Sequence, residues 1–227
     1  MLNSLKKDLQ GLANPEQAEI LQSFFKTKKG EYGEGDVFIG VKVPDTREIA
    51  KKYSGMNLIK IQELLNSKIH EERLCGLLIL VDKYPKDKDN VFNFYLKNSK
   101  GINNWDLVDL TAHKIVGDFL FDKNKNILYE LSRSDNLWER RIAIISTFDF
   151  IKKGEFEDSL AIAELLLKDE QDLIHKAVGW MLREIGKRDI EVLRGFLREH
   201  YKVMPRTMLR YSIEKMDEAE RKGWLKR

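Results

Sequence analysis

The sequence is poor in the residues that crosslink a chain or interrupt it, with one cysteine, four prolines and four histidines in 227 positions. A lone thiol, Cys75, excludes a disulfide within the chain and a cysteine-built zinc cluster. Its setting in LCGLLILV reads as that of a small core residue in a reducing compartment. His70, His113, His175 and His200 are far apart, and His70 is followed by two glutamates with no second histidine one turn on. That spacing suits no zinc site, so neither a metal nor a cofactor is expected. Long hydrophobic runs are also missing: Cys75 to Val81 is the longest notable one and is far too short to span a bilayer. The N-terminal stretch has no uninterrupted signal-peptide core. These absences point to a soluble, cytoplasmic protein with no membrane partner.

Catalytic signatures are scarce too. There is no GxSxG, and no cysteine–histidine pair in a polar setting. The glycines of GEYGEGD, at 30, 33 and 35, follow no strand and precede no Gly-Lys-Ser/Thr, which excludes a dinucleotide fold and a P-loop. A loop that needs positive φ angles accounts for them.

Charge is plentiful. Charged residues make up 34% and aromatics 10%, the composition of a folded protein with a heavily ionised surface. The net charge of +3 is too small to argue for nucleic acid by itself. Its distribution is more telling: from Arg183 to Arg210 eight basic residues face four acidic ones. No Gly/Ser or Pro-rich linker divides the chain, which reads as a single domain over 1–227, with a monomer as the default state.

Hydrophobic periodicity is helical almost throughout. Two amphipathic helices open the chain, the second entered through an Asn14 cap and an N1 proline, Pro15, with Ala18, Leu21, Phe24 and Phe25 on one side. After the glycine-rich loop, helices are expected from about Pro44 or Asp45 and from Asn57. ERLCGLLILVDKY, VDLTAHKIVGDFL, RRIAIISTFDF, HKAVGWMLREIG and PRTMLRYSIEKM then give five apolar helices. Their early polar residues, Arg73, Asp109, Arg141, Lys176 and Arg206, are spaced by 36, 32, 35 and 30 residues. Another amphipathic helix fits each interval. This predicts an all-α fold, a curved solenoid of about six HEAT-like helix pairs, an α-α superhelix with a concave side. The competing architecture is a compact irregular bundle, since any chain of medium-length helices shows similar periods.

Within that register, NNWDLVD draws the eye. Asn104 is placed to cap a helix, Trp105 to begin it, and Asp106 to meet the positive end of its dipole. Asp109 remains, beside an indole and next to Val108 on a stripe that Ala112, Ile115 and Phe119 continue. The register sets Trp105, Asp109, Arg141 and Trp180 in three successive units at one edge of the concave side, with Lys176 one turn before Trp180. Two indoles, a carboxylate and a guanidinium facing one groove suit a polyanion in which a cation develops. Singly, each has a plainer reading: core tryptophans, a carboxylate paired with a lysine or His113, and an arginine bridging two repeats.

Together these segments resemble the AlkD family of DNA alkylation repair glycosylases. NNWDLVDLTAHKIVG resembles the family's Trp-Asp-x-Val-Asp segment, RRIAIIS its arginine-headed helix, IHKAVGWMLREIGK its most characteristic stretch, and FIGVKVPDTREIAKKY its N-terminal element. The similarity runs from about residue 25 to 215. It implies a monofunctional glycosylase that removes cationic N3- and N7-alkylated purines from double-stranded DNA without extruding the base into a deep pocket. It assigns Asp109 as the catalytic carboxylate, Trp105 and Trp180 as groove tryptophans, and Arg141 as the contact to the backbone at the lesion. Lys176 and Arg206, at the heads of their helices, are added as DNA-binding candidates. The alternatives are a structure-specific DNA binder without glycosylase activity and a protein-interaction HEAT scaffold.

Overall fold

The computed structural model describes residues 1–226, and among them there is no strand, only an isolated parallel bridge between Val37 and Ile69. The all-helical, helix-pair fold is as the periodicity predicts. No helix among the described residues is long and apolar enough to cross a membrane. The chain forms two compact units, Met1–Thr111 and a second that begins at Ala112.

In the first unit, helices Leu2–Gly11, Pro15–Phe24, Val43–Lys52 and Leu58–Leu65 precede a central helix, His70–Lys83, followed by Lys88–Lys97 and the short Trp105–Asp109. The predicted Asn14 cap forms, its side chain accepting a hydrogen bond from the Gln17 amide at 2.9 Å, and Asn57 caps its helix in the same way, accepting from the Lys60 amide at 3.0 Å. Every residue from His70 to Leu80 in the central helix is buried, including His70, Glu71, Glu72 and Arg73. Such a helix is wrapped on all sides. Gly76 admits Leu58–Leu65, since a β-carbon there would come within 3.1 Å of Leu64 Cβ. Cys75 is buried as expected, and burial, followed by the charge of Glu72, pushes its thiol up to about 12.

The glycine-rich stretch is the long loop that was anticipated, with Gly30, Gly35 and Gly40 at φ of 82°, 87° and 85°. What holds it was not anticipated. The buried Glu71 carboxylate accepts hydrogen bonds from the amides of Gly40 at 2.8 Å, Ile39 at 3.1 Å and Val41 at 3.2 Å. Phe24, expected on the buried side of its helix, is 61% exposed, while Phe25 is buried.

The second unit pairs Asn126–Ser132 with Leu137–Ser146, packs the latter on Asp172–Gly186, and packs that helix in turn on Arg206–Ser212. Helices Glu157–Leu165, Ile190–His200 and Glu218–Leu225 complete it.

Three of the apolar helices are shorter than their periodicity predicts. VDLTAHKIVGDFL is broken into Trp105–Asp109, a π-turn at His113–Gly117 and Asp118–Leu120. RRIAIISTFDF stops at Ser146 and resumes at Phe148, and the last helix ends at Ser212. At each break a hydroxyl donates back to a carbonyl of the preceding turn. Thr111 donates to Leu107 at 2.5 Å, Ser146 to Ile142 at 2.6 Å, Thr147 to Ile144 at 2.7 Å and Ser212 to Leu209 at 2.8 Å. This competition with the backbone ladder favours a bend, and periodicity does not register it.

Candidate functional site

Asn104 sits where the sequence put it, just before Trp105. Its side-chain oxygen accepts from the Trp105 amide at 2.9 Å, and its amide nitrogen donates to Asp36 at 3.2 Å. The helix it opens, Trp105–Asp109, has five residues. A helix that short has no stability of its own, because nucleation costs more than one turn returns. Its orientation must therefore come from neighbours.

Aromatic packing supplies one support. Trp105, half-exposed, lies almost parallel to Phe25, with ring centroids 5.0 Å apart and planes at 10°. Phe25 stacks on Phe38 at 4.9 Å, and Phe38 on the His70 imidazole at 4.4 Å. Phe24 meets the indole edge-on at 5.9 Å. The outermost ring of this column is thus an indole backed by three others.

A second support is ionic. Asp106, expected to face the helix dipole, is buried, and its Oδ2 lies 2.8 Å from Nε2 of His70. Its other oxygen accepts from the Leu107 amide at 2.8 Å. On the far side of the imidazole, Nδ1 is 3.3 Å from Asp36 Oδ2. Asp36 also pairs with Arg73 at 2.7 Å and accepts from Asn103 at 3.1 Å. Burial alone would lower the pKa of His70. The Asp106 charge and hydrogen bond, reinforced by the bond to Asp36, outweigh it and raise the value. For Asp36, burial would raise the pKa, and the His70 hydrogen bond with the Arg73 charge brings it down.

At the other end of the helix, Tyr95 donates to Thr111 at 2.9 Å, and Thr111 donates to the Leu107 carbonyl. Asp109 is half-exposed, unlike Asp106. Burial and the Asp109 charge both push the Tyr95 phenol up, so the tyrosine stays neutral and serves as a donor.

The remaining candidates lie in the second unit. Arg141 is only 4% exposed and donates to the Leu173 carbonyl, tying two successive repeats together. Its neighbour Arg140 binds Asp169 at 2.6 Å. Trp180, half-exposed, is 5.6 Å from Phe148, which in turn meets His113 at 5.4 Å and carries Lys152 over its ring at 5.0 Å. Lys176, one turn before Trp180 on the same helix face, pairs with Asp172 at 2.7 Å. Arg206 is exposed and donates to the Leu225 carbonyl at 3.0 Å.

The structure therefore joins Trp105 and Asp109 on one short helix, and Lys176 and Trp180 on one face of another. Sequence reasoning missed Asp36, His70 and Phe148. The signal for His70 was present in the run HEER, four polar residues at the head of an otherwise apolar helix. Asp36 and Phe148 carried none, since each is brought to its partner across distant sequence.

A family model described as "DNA alkylation repair enzyme" matches residues 5–216. The chain belongs to that family. Among solved structures, this DNA alkylation repair family member is similar to one described as "Predicted DNA alkylation repair enzyme from Enterococcus faecalis", with 18% identity, a TM-score of 0.74, and 91% of this chain and 97% of the other covered. It is also similar to AlkD2 from Streptococcus mutans, with 17% identity, a TM-score of 0.59, and 95% and 97% covered. At that identity these likenesses speak for the fold. No curated protein matches. Family membership implies that DNA is a ligand.

Proposed function

We propose that the protein is a monofunctional DNA glycosylase that hydrolyses the N-glycosidic bond of cationic N3- and N7-alkylated purines in duplex DNA. The observation that carries this reading is the contrast within WDLVD. Asp106 is buried against His70, and Asp109 is half-exposed on the helix that also presents the Trp105 indole.

The chemistry suits those groups. An alkylated purine already bears a positive charge, so the C1′–N bond breaks with its electron pair moving to the base, which leaves neutral. The positive charge passes to the deoxyribose as an oxocarbenium ion. A carboxylate near C1′ stabilises that cation more than it stabilises the ground state, which is how a rate is raised. Asp109 fills this role and orients the water whose oxygen bonds to C1′, the released proton passing to the carboxylate and on to solvent. The Trp105 face attracts the cationic sugar, and in the second unit Trp180 offers a further aromatic face to DNA. Lys176 and Arg206 hold phosphates and set register rather than do chemistry, while Arg141, buried and tied to the Leu173 carbonyl, positions the helix that carries Lys176 and Trp180. The base stays stacked, with no deep pocket required.

The test is release of free base from duplex DNA containing N7-methylguanine, by the unaltered protein and by Asp109→Asn. Release by the first, with a loss on the order of 100-fold in the second while folding and DNA binding persist, is expected. Salt-dependent binding without release from either protein would overturn the glycosylase reading in favour of a structure-specific binder. Absence of both would leave a protein scaffold.

A further inference from the structure

Resting on that reading, we propose that His70 is a positioning residue: clamped between Asp36 and Asp106, it fixes through Asp106 the short helix that carries Trp105 and Asp109.

The helix cannot orient itself, and its contacts define what does. Asp106 is the residue between the indole and the rest of the helix, and its side chain ends on Nε2 of His70 at 2.8 Å. The same imidazole stacks at 4.4 Å on Phe38, which leads through Phe25 to Trp105. His70 thus reaches the indole by two routes, one ionic along the backbone and one through stacked rings. It is anchored to the most buried helix of its unit.

The groups facing His70 are Asp36, Asp106 and Arg73, with Phe25 and Phe38 against its ring. Glu71, the adjacent residue, directs its carboxylate to the loop amides instead. Both imidazole nitrogens meet carboxylate oxygens, so the geometry calls for a proton on each, and the raised pKa of His70 agrees. A histidinium donates to both carboxylates at once. A neutral ring donates to one and turns a lone pair on an oxygen of the other, which replaces a buried hydrogen bond with a repulsive contact. Glycosidic cleavage depends on sub-ångström placement of the charge beside C1′, and a displacement of about 1 Å can cost roughly 100-fold in rate. The ion pair's contribution is therefore to rate rather than to affinity for DNA.

The experiment uses the full chain with Asp106→Asn, which keeps an acceptor for Nε2 but removes the charge, and His70→Gln. Trp105 emission is isolated by subtracting the spectrum of each protein carrying Trp105→Phe as well. Single-turnover release of N7-methylguanine is separated into a DNA dissociation constant and a rate constant. In folded Asp106→Asn we expect a shift in Trp105 emission and a rate constant lower by about 30-fold, with the dissociation constant changed less than about threefold. An unchanged emission and rate, or a loss that lies wholly in the dissociation constant, would overturn the proposal. If His70→Gln fails to fold, the unaltered protein still decides the matter through ¹⁵N resonances of the His70 ring at neutral pH. Two protonated nitrogens support the clamp, and a single neutral tautomer refutes it. Should the unaltered protein release no base, the glycosylase reading falls, while the Trp105 emission and ring signals still judge this inference separately.

Discussion

A β-carbon on Gly179 would stand 2.6 Å from the carbonyl oxygen of Met208 and 2.5 Å from Cβ of Tyr211. Helices Asp172–Gly186 and Arg206–Ser212 are thus in backbone contact one residue away from Trp180. Alanine at 179 forces them apart, at a cost of about 1–3 kcal/mol. Urea unfolding of Gly179→Ala should show that loss, together with a change in Trp180 emission. A midpoint equal to that of the parent would mean the helices separate freely there.

The buried cluster of Asp36, His70, Arg73 and Asp106 makes stability depend on pH in a defined sense. His70 is raised above its ordinary value of 6.5, so its contribution is complete below that value and is lost as pH rises through the higher folded value. Asp36 is lowered below 3.8, so its contribution is complete above that value and is lost as pH falls through the lower folded value. Between the two ordinary values both contributions are present. Denaturant midpoints from pH 3 to 9 should therefore decline on the alkaline side through His70, and His70→Gln should flatten that limb. An alkaline limb that survives the substitution would assign it to another group.

Salt dependence should distinguish phosphate contacts from sugar contacts. If Lys176 and Arg206 each neutralise one phosphate, Lys176→Ala and Arg206→Ala should each reduce the slope of log binding constant against log salt by about 1. Trp180→Ala should weaken binding while leaving the slope as it was. Lys176 must first give up Asp172, its partner at 2.7 Å, so its effect should be the smaller of the two cations. Equal slopes for all four proteins would remove both cations from the DNA contact.

Much of the architecture was legible because it is local. The Asn14 cap, the N1 proline, the helix start at Asn57 and the positive φ of Gly30 and Gly35 each act within a few residues and appear where the pattern put them, while Gly33 of the same loop keeps an ordinary φ. The helix breaks at Thr111, Ser146 and Ser212 were not legible. A hydroxyl within an apolar helix reads the same whether it faces a neighbour or turns back on its own ladder.

Phe24 and Phe25 show the same limit on a smaller scale. Both are large aromatics on a helical stripe, yet one is 61% exposed and the other is the inner ring of the Trp105 stack. Periodicity grades a face, and it cannot say which of two adjacent rings the neighbouring loop will cover.

By itself the sequence determined an all-helical chain of paired helices, the cap that opens Trp105–Asp109, and the two carboxylates of WDLVD, because helix period, capping and motif order are properties of neighbouring residues. Only the tertiary structure decided which carboxylate is buried against His70. Asp106 meets His70 from 36 positions away, and His70 meets Asp36 from 34. Ionic partners separated so far are chosen by how helices pack. Packing also decided that Arg141, read as a groove residue, is buried against the Leu173 carbonyl.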